Sequence, residues 1–136
     1  MSKSNATEND LVKFIFNNVA MPSYGSNLYL SLHTGDPGEG GDQLSSECAY
    51  TNYQRVAIAR DSGGWTVSGN QAVNAALVQF PQSGSGPETA THFAIGTANT
   101  GGAGQILYSG ILSAPLVINN LVQPQFAAGN LVVQED

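Results

Sequence analysis

The sequence predicts a mainly β domain, an antiparallel β-sandwich or jelly-roll-like barrel with one short N-terminal helix. Three observations point there. Only the first twenty residues show helical spacing of apolar side chains. Leu28, Leu30 and Leu32 then alternate with Tyr29, Ser31 and His33 at the period of a strand. Everything after that is cut by Gly, Pro and Asn into short apolar runs, which stack as a sandwich or barrel rather than a parallel α/β sheet. A chain of 136 residues can bury one core and would leave two domains marginal. Residues 1–136 are therefore read as one unit, with a helix over about 7–20 and a β-domain over about 26–135.

Taken in order, Asn5 or Thr7 is placed to cap the helix, and Glu8 and Asp10 fall in its first turn, where the dipole favours acids. Leu11, Phe14, Ile15 and Val19 recur at helical spacing, Val12 and Phe16 widen the apolar surface, and Pro22 with Gly25 ends the segment. So short and apolar a helix needs a cover, and docking on its own domain is the expected one. Strands are expected at 27–34, 53–60, 64–68, 75–80, 91–97, 105–112, 115–119, 122–127 and 130–134. Leu28, Leu30 and Leu32 are assigned to the core face of the first, which leaves His33, like His92, pointing outward. Loops 35–52 and 81–90 are too rich in glycine and too poor in apolar residues to form core. Pro115 and Pro124 lack the amide a central strand must donate, so they mark edges or bends where another subunit can pair.

Few residues offer chemistry. Asp36, Glu39, Asp42 and Glu47 make an acidic loop, and Asp36, Glu39 and Asp42 are what a calcium ion would use. Their spacing does not fit the helix-loop-helix calcium pattern, so no metal or other cofactor is expected. Ser31, Ser109 or Cys48 with a histidine and Asp36 could compose a nucleophile, but no catalytic signature surrounds them. Asp61 and Glu88 could converge on a glycosidic bond only if the fold brings them together. Trp65, near Asp61, Ser62, Asn70 and Gln71, has the ingredients of a sugar platform, although a lone Trp at a strand start more often packs into the core. Arg55 shares a face with Tyr53, Ala57 and Ala59. Half-buried there, it needs an anion, and Asp36 or Glu47 is the expected partner in a clamp on the acidic loop.

The ordered run of NLYLSLHTGDPGEGGDQLSSECAYTNYQR (27–55), WTVSGNQAVNAALVQF, THFAIGTA, LYSGILSAP and FAAGNLVV resembles a family of small phage and prophage virion proteins, usually described as tail-fibre or related structural proteins. That resemblance implies a non-enzymatic part of a tailed-phage particle, made in the host cytoplasm and assembled with other virion proteins. Tail-fibre attachment is the first expectation. Capsid decoration and a sugar-binding receptor module are the alternatives.

Composition agrees with an assembling protein. Charged residues are 10% of the chain, against roughly 25% in ordinary soluble domains, so a large interface can close with few charges to desolvate. Two lysines and two arginines against ten carboxylates give a net charge of −6, with no basic patch for nucleic acid or anionic membrane. Cys48 is alone, which excludes an intrachain disulfide. A homo-oligomer is expected, with Phe14, Phe16, Asp36, Pro37, Glu39, Asp42, Pro115 and Pro124 as candidate contacts. Leu28, Leu30, Leu32, Arg55 and Trp65 are assigned structural roles.

Overall fold

Backbone pairing begins at the second residue. The computed structural model describes residues 1–136, and its elements in chain order are β1 (Ser2–Lys3), α1 (Asn5–Asn17), β2 (Asn27–His33), β3 (Val56–Ala59), β4 (Trp65–Ser68), β5 (Gln71–Asn74), β6 (Val78–Gln79), β7 (Glu88–Gly96), β8 (Ile106–Ile118), β9 (Gln125–Phe126) and β10 (Val132–Gln134). One sheet has the order β1-β8-β7-β2-β3. A three-stranded sheet, β10-β5-β4, and a pair, β6-β9, complete the β-structure, and every pairing is antiparallel. The chain is thus mainly β, consistent with a sandwich that carries a short N-terminal helix.

The core lies between these sheets. Leu30 pairs with Ile95 and Leu32 with Phe93, so the leucine face of β2 continues across β7. It meets Trp65 from β4, Val78 from β6 and Leu131 beside β10 in one buried cluster, with Phe80 and Ile118 fully enclosed. Leu28 packs against the edge of this cluster, half-buried.

Several expectations are corrected. Residues 105–112 and 115–119 form one strand, because Leu112–Pro115 bulge out opposite the single residue Thr91 and the proline takes no ladder position. Residues 71–74 pair with β4 through the two-residue turn Gly69-Asn70, so the strand expected at 75–80 shrinks to Val78–Gln79. His33 does not point to solvent. It is fully buried, as is Ser31, so β2 is covered on both faces at its C-terminal end, while His92 is half-buried. The cover is the loop 35–52, which contributes the buried residues Pro37, Gln43, Cys48 and Tyr50 despite its glycines.

The helix brings two further corrections. Its cap is Ser4, whose hydroxyl accepts the Thr7 amide at 3.2 Å, and Ser4 and Thr7 together fasten the first turn to the Ile106 carbonyl. Thr7 is the only buried residue of α1. From Val12 onward every residue through Ala20 is exposed, so the domain does not cover its own helix. The polar first turn is anchored and the apolar second half projects.

Candidate functional site

Three places on the chain concentrate the residues that the sequence singles out. The first is the cover over β2. Arg55 donates from Nε and Nη2 to the two Glu47 oxygens, each at 2.8 Å, and from Nη1 and Nη2 to the carbonyls of Ala98 and Gly101 at 2.9 and 2.8 Å. The two side chains are 3% and 10% exposed. At that burial only a bidentate pair with its remaining protons satisfied offsets the loss of water. Of the two carboxylates set against Arg55 in the sequence, Glu47 is the one that meets it. Tyr53 donates its hydroxyl to the same Glu47 and accepts the Leu32 amide, and burial together with that carboxylate pushes its pKa up.

Beneath this clamp lies a polar layer. The Ser45 carbonyl, 2.8 Å from His33 Nδ1, can only accept, so Nδ1 carries the proton and Nε2 accepts from the Ser31 hydroxyl at 2.8 Å. Gln43 donates to Ser31 Oγ and to the Tyr29 carbonyl. Gly96 makes room for it, since a Cβ there would stand 2.2 Å from the Gln43 side-chain oxygen. Burial lowers the His33 pKa, opposed by the Ser45 hydrogen bond and by Glu47. The Ser31-His33 pair has the distance of a nucleophile and its base, yet both residues are fully buried and present no face to a substrate. Asp36 does not orient this histidine. It accepts the Gly38 amide in its own turn.

The other carboxylates that the sequence singles out, Glu39 apart, and the lone thiol are committed to structure. Asp42 accepts the Leu44 amide, while Glu39 is exposed, and no group of three His, Cys, Asp or Glu side chains is arranged to hold a metal ion. Glu88 takes the amides of Ala49 and Tyr50, and Asp61 those of Gly63 and Gly64, so the two carboxylates serve different loops. Cys48 is buried, and desolvation, reinforced by Glu88, pushes its thiol up to about 12. It carries no thiolate at neutral pH.

The second place is the projecting half of α1, where Val12 is 55% exposed and Phe16 77%, with Phe14, Ile15 and Val19 exposed beside them. The chain turns away through Asn18 in the left-handed conformation, and the Asn18 and Val19 amides both return to the Lys13 carbonyl. The third is a groove of about 490 Å³ between the five-stranded and three-stranded sheets, walled by Leu28, Trp65, Val67, Ala72, Leu107 and Val133 and bordered by Arg60, Asp61 and Ser62. Trp65 belongs to the core and is 9% exposed. Among the proline candidates, Pro115 is exposed, whereas Pro37 and Pro124 are buried and the Pro124 carbonyl accepts the Phe80 amide.

Sequence reasoning missed the groove because its wall is drawn from six separated segments, and it missed Gln43 because a buried amide in a glycine-rich loop has no periodic signature. The projecting helix was legible as apolar but not as uncovered. No helix of the chain is long and apolar enough to cross a membrane. No curated protein is similar enough to the chain to match it. The model of the Gp80 family, described as podophage GP4 fiber I protein gp80, matches residues 2–134, and the chain belongs to this family of phage fibre proteins.

Proposed function

We propose that the chain is a non-enzymatic, oligomeric component of a tailed-phage tail, a part that joins the fibre to neighbouring virion proteins. Membership of a phage fibre family implies a place in the virion. The observation that carries the finer reading is the projecting half of α1, whose apolar side chains have no cover within their own chain. Surface of this kind marks an interaction site. The net charge of −6 with only four cations gives no support to nucleic acid or anionic membrane as the partner. Catalysis draws no support from the buried Ser31-His33 pair. The sugar-platform alternative loses its exposed indole, because Trp65 packs in the core.

A cryo-electron-microscopy map of the intact particle, with the chain marked by an antibody fragment, is the test. Copies at the tail are expected. Copies spread over the head lattice would transfer the chain to capsid decoration, and a particle without the chain would end the reading.

A further inference from the structure

Strand register shows how the two larger sheets meet at the far end of the groove. Ile95 stands opposite Tyr108 and Tyr108 opposite Lys3, so these three side chains form one row that runs from the core to the β1 edge. Across the groove, Val67, Ala72 and Val133 form the facing row of the three-stranded sheet. Glu135 lies two residues beyond Val133 and therefore projects to the same inner side. There it accepts the Lys3 ammonium on Oε1 and the Tyr108 hydroxyl on Oε2. These are the only side-chain hydrogen bonds that tie the β4-β5-β10 layer to the five-stranded sheet.

Little else holds β10 itself. It is three residues long, it forms an edge of its sheet, and Val132 and Gln134 are exposed while Val133 turns inward. The Glu135 amide donates to the Asn70 carbonyl and the Asn74 amide to the Leu131 carbonyl, which leaves the Val133–Ala72 pair as the interior ladder pair of the strand. So short a ladder belongs to the low-stability end of a fold. Leu131, just before it, is 1% exposed and donates its amide to Asn74 Oδ1, so the chain is fixed at that end.

We propose that β10 is a strap over one end of the inter-sheet groove, hinged after Leu131 and latched by the Glu135 carboxylate to Lys3 and Tyr108. Releasing the latch frees residues 132–135 from β5 and opens the groove where Ala72, Leu107 and Tyr108 wall it. The Lys3 and Glu135 side chains are 20% and 40% exposed, and an ion pair of that kind shifts an opening equilibrium a few-fold without holding up the fold. The Lys3 and Tyr108 hydrogen bonds hold the Glu135 carboxyl below its ordinary value. The latch is therefore complete above about pH 4.3 and is lost as pH falls through the lower folded value. The other titratable groups that reach the cluster are Glu8 and Asp136, through Lys3, and Tyr24, through Tyr108. The strap works within one copy and does not depend on the fibre role.

Two measurements on the full chain test it. Amide exchange followed by NMR, expressed as protection relative to an unpaired chain, reads Ala72 and Val133. Glu135→Gln and Lys3→Met should each lower protection there at least threefold at pH 7, while the amides of β2 keep theirs. Wild type and Glu8→Gln should lose the same protection, relative to β2, between pH 6 and 3, and Glu135→Gln should show no such dependence. Ala72→Cys places a thiol in the groove wall while Cys48 stays buried, and adding Glu135→Gln should speed its labelling by a maleimide at least threefold. Equal protection with and without the carboxylate overturns the latch, and a pH dependence that survives Glu135→Gln overturns Glu135 as its titrating group. A loss shared by β2 overturns the strap, since β10 would then open only with the whole fold. Faster exchange without faster labelling overturns its placement over the groove.

Discussion

Removing the Glu47 carboxylate would strand the Arg55 guanidinium at 3% exposure with two backbone carbonyls as its main remaining partners. Breaking a buried pair from one side costs about 3–5 kcal/mol, because the charge left behind has lost both water and partner. Glu47→Ala should therefore shift a urea midpoint by that order, and Arg55→Met on the same background should recover part of the loss. A midpoint within 0.5 kcal/mol of wild type, the usual range for surface changes, would mean the clamp is dispensable. His33 gives a test in pH. Its folded pKa lies below the ordinary value of about 6.5, chiefly through burial, so the unfolded chain takes up a proton as pH falls through that value while the folded chain resists. Stability contributed by the neutral ring is whole above about pH 6.5 and declines below it, by no more than about 1.4 kcal/mol per pH unit for one proton. Urea midpoints between pH 7.5 and 5.5 should show this decline in wild type and lose it in His33→Gln, which keeps a polar side chain but cannot titrate. An unchanged pH profile in that variant would assign the decline to other groups.

At the scale of elements, β2 is where the sequence was both most and least legible. Leu28, Leu30 and Leu32 announce a strand through their period of two, and its start at Asn27 and its inward leucine face appear in the structure as expected. The opposite face could not be read the same way. Ser31 and His33 are polar, and nothing in a strand's own residues tells that a glycine-rich loop 12 residues downstream will supply Gln43, Ser45 and Glu47 to satisfy them. Alternation reports the chemistry of a face, not what lies over it. The same limit explains α1, where helical spacing located the element and could not say whether the apolar ridge meets its own sheet. The β4–β5 hairpin was legible in principle, since Gly69-Asn70 between two runs is a two-residue turn signal, but the alanine-rich 71–80 segment hid where its first strand ended. Leu30→Asp would place an unpaired carboxylate in a fully closed position, at a cost of several kcal/mol against a total stability of roughly 5–15 kcal/mol. Circular dichroism should show that variant unfolded at room temperature. A cooperative melt near that of wild type would mean the leucine face of β2 is not the core face, and every inward assignment on the strand would reverse.

Over the whole molecule, the low charge content acquires a physical use in assembly. Copies that each carry −6 repel one another at long range, while the projecting half of α1, the surface proposed for joining, is dominated by exposed apolar side chains. Salt acts on these two contributions unequally. Raising ionic strength from about 0.01 M to 1 M shrinks the Debye length from about 30 Å to 3 Å, which removes most of the repulsion and leaves the burial of apolar surface in place. Self-association should therefore hold or tighten as salt is added. Cooling should loosen it, because apolar burial weakens at low temperature. A joint built on ion pairs would behave in the opposite way toward salt, loosening steeply as its charges are screened. Sedimentation equilibrium across that salt range at 4 and 25 °C measures both trends on one sample. Dissociation by salt would show that the copies are held through their few charged residues, and the apolar ridge of α1 would then have to be assigned to a different virion protein.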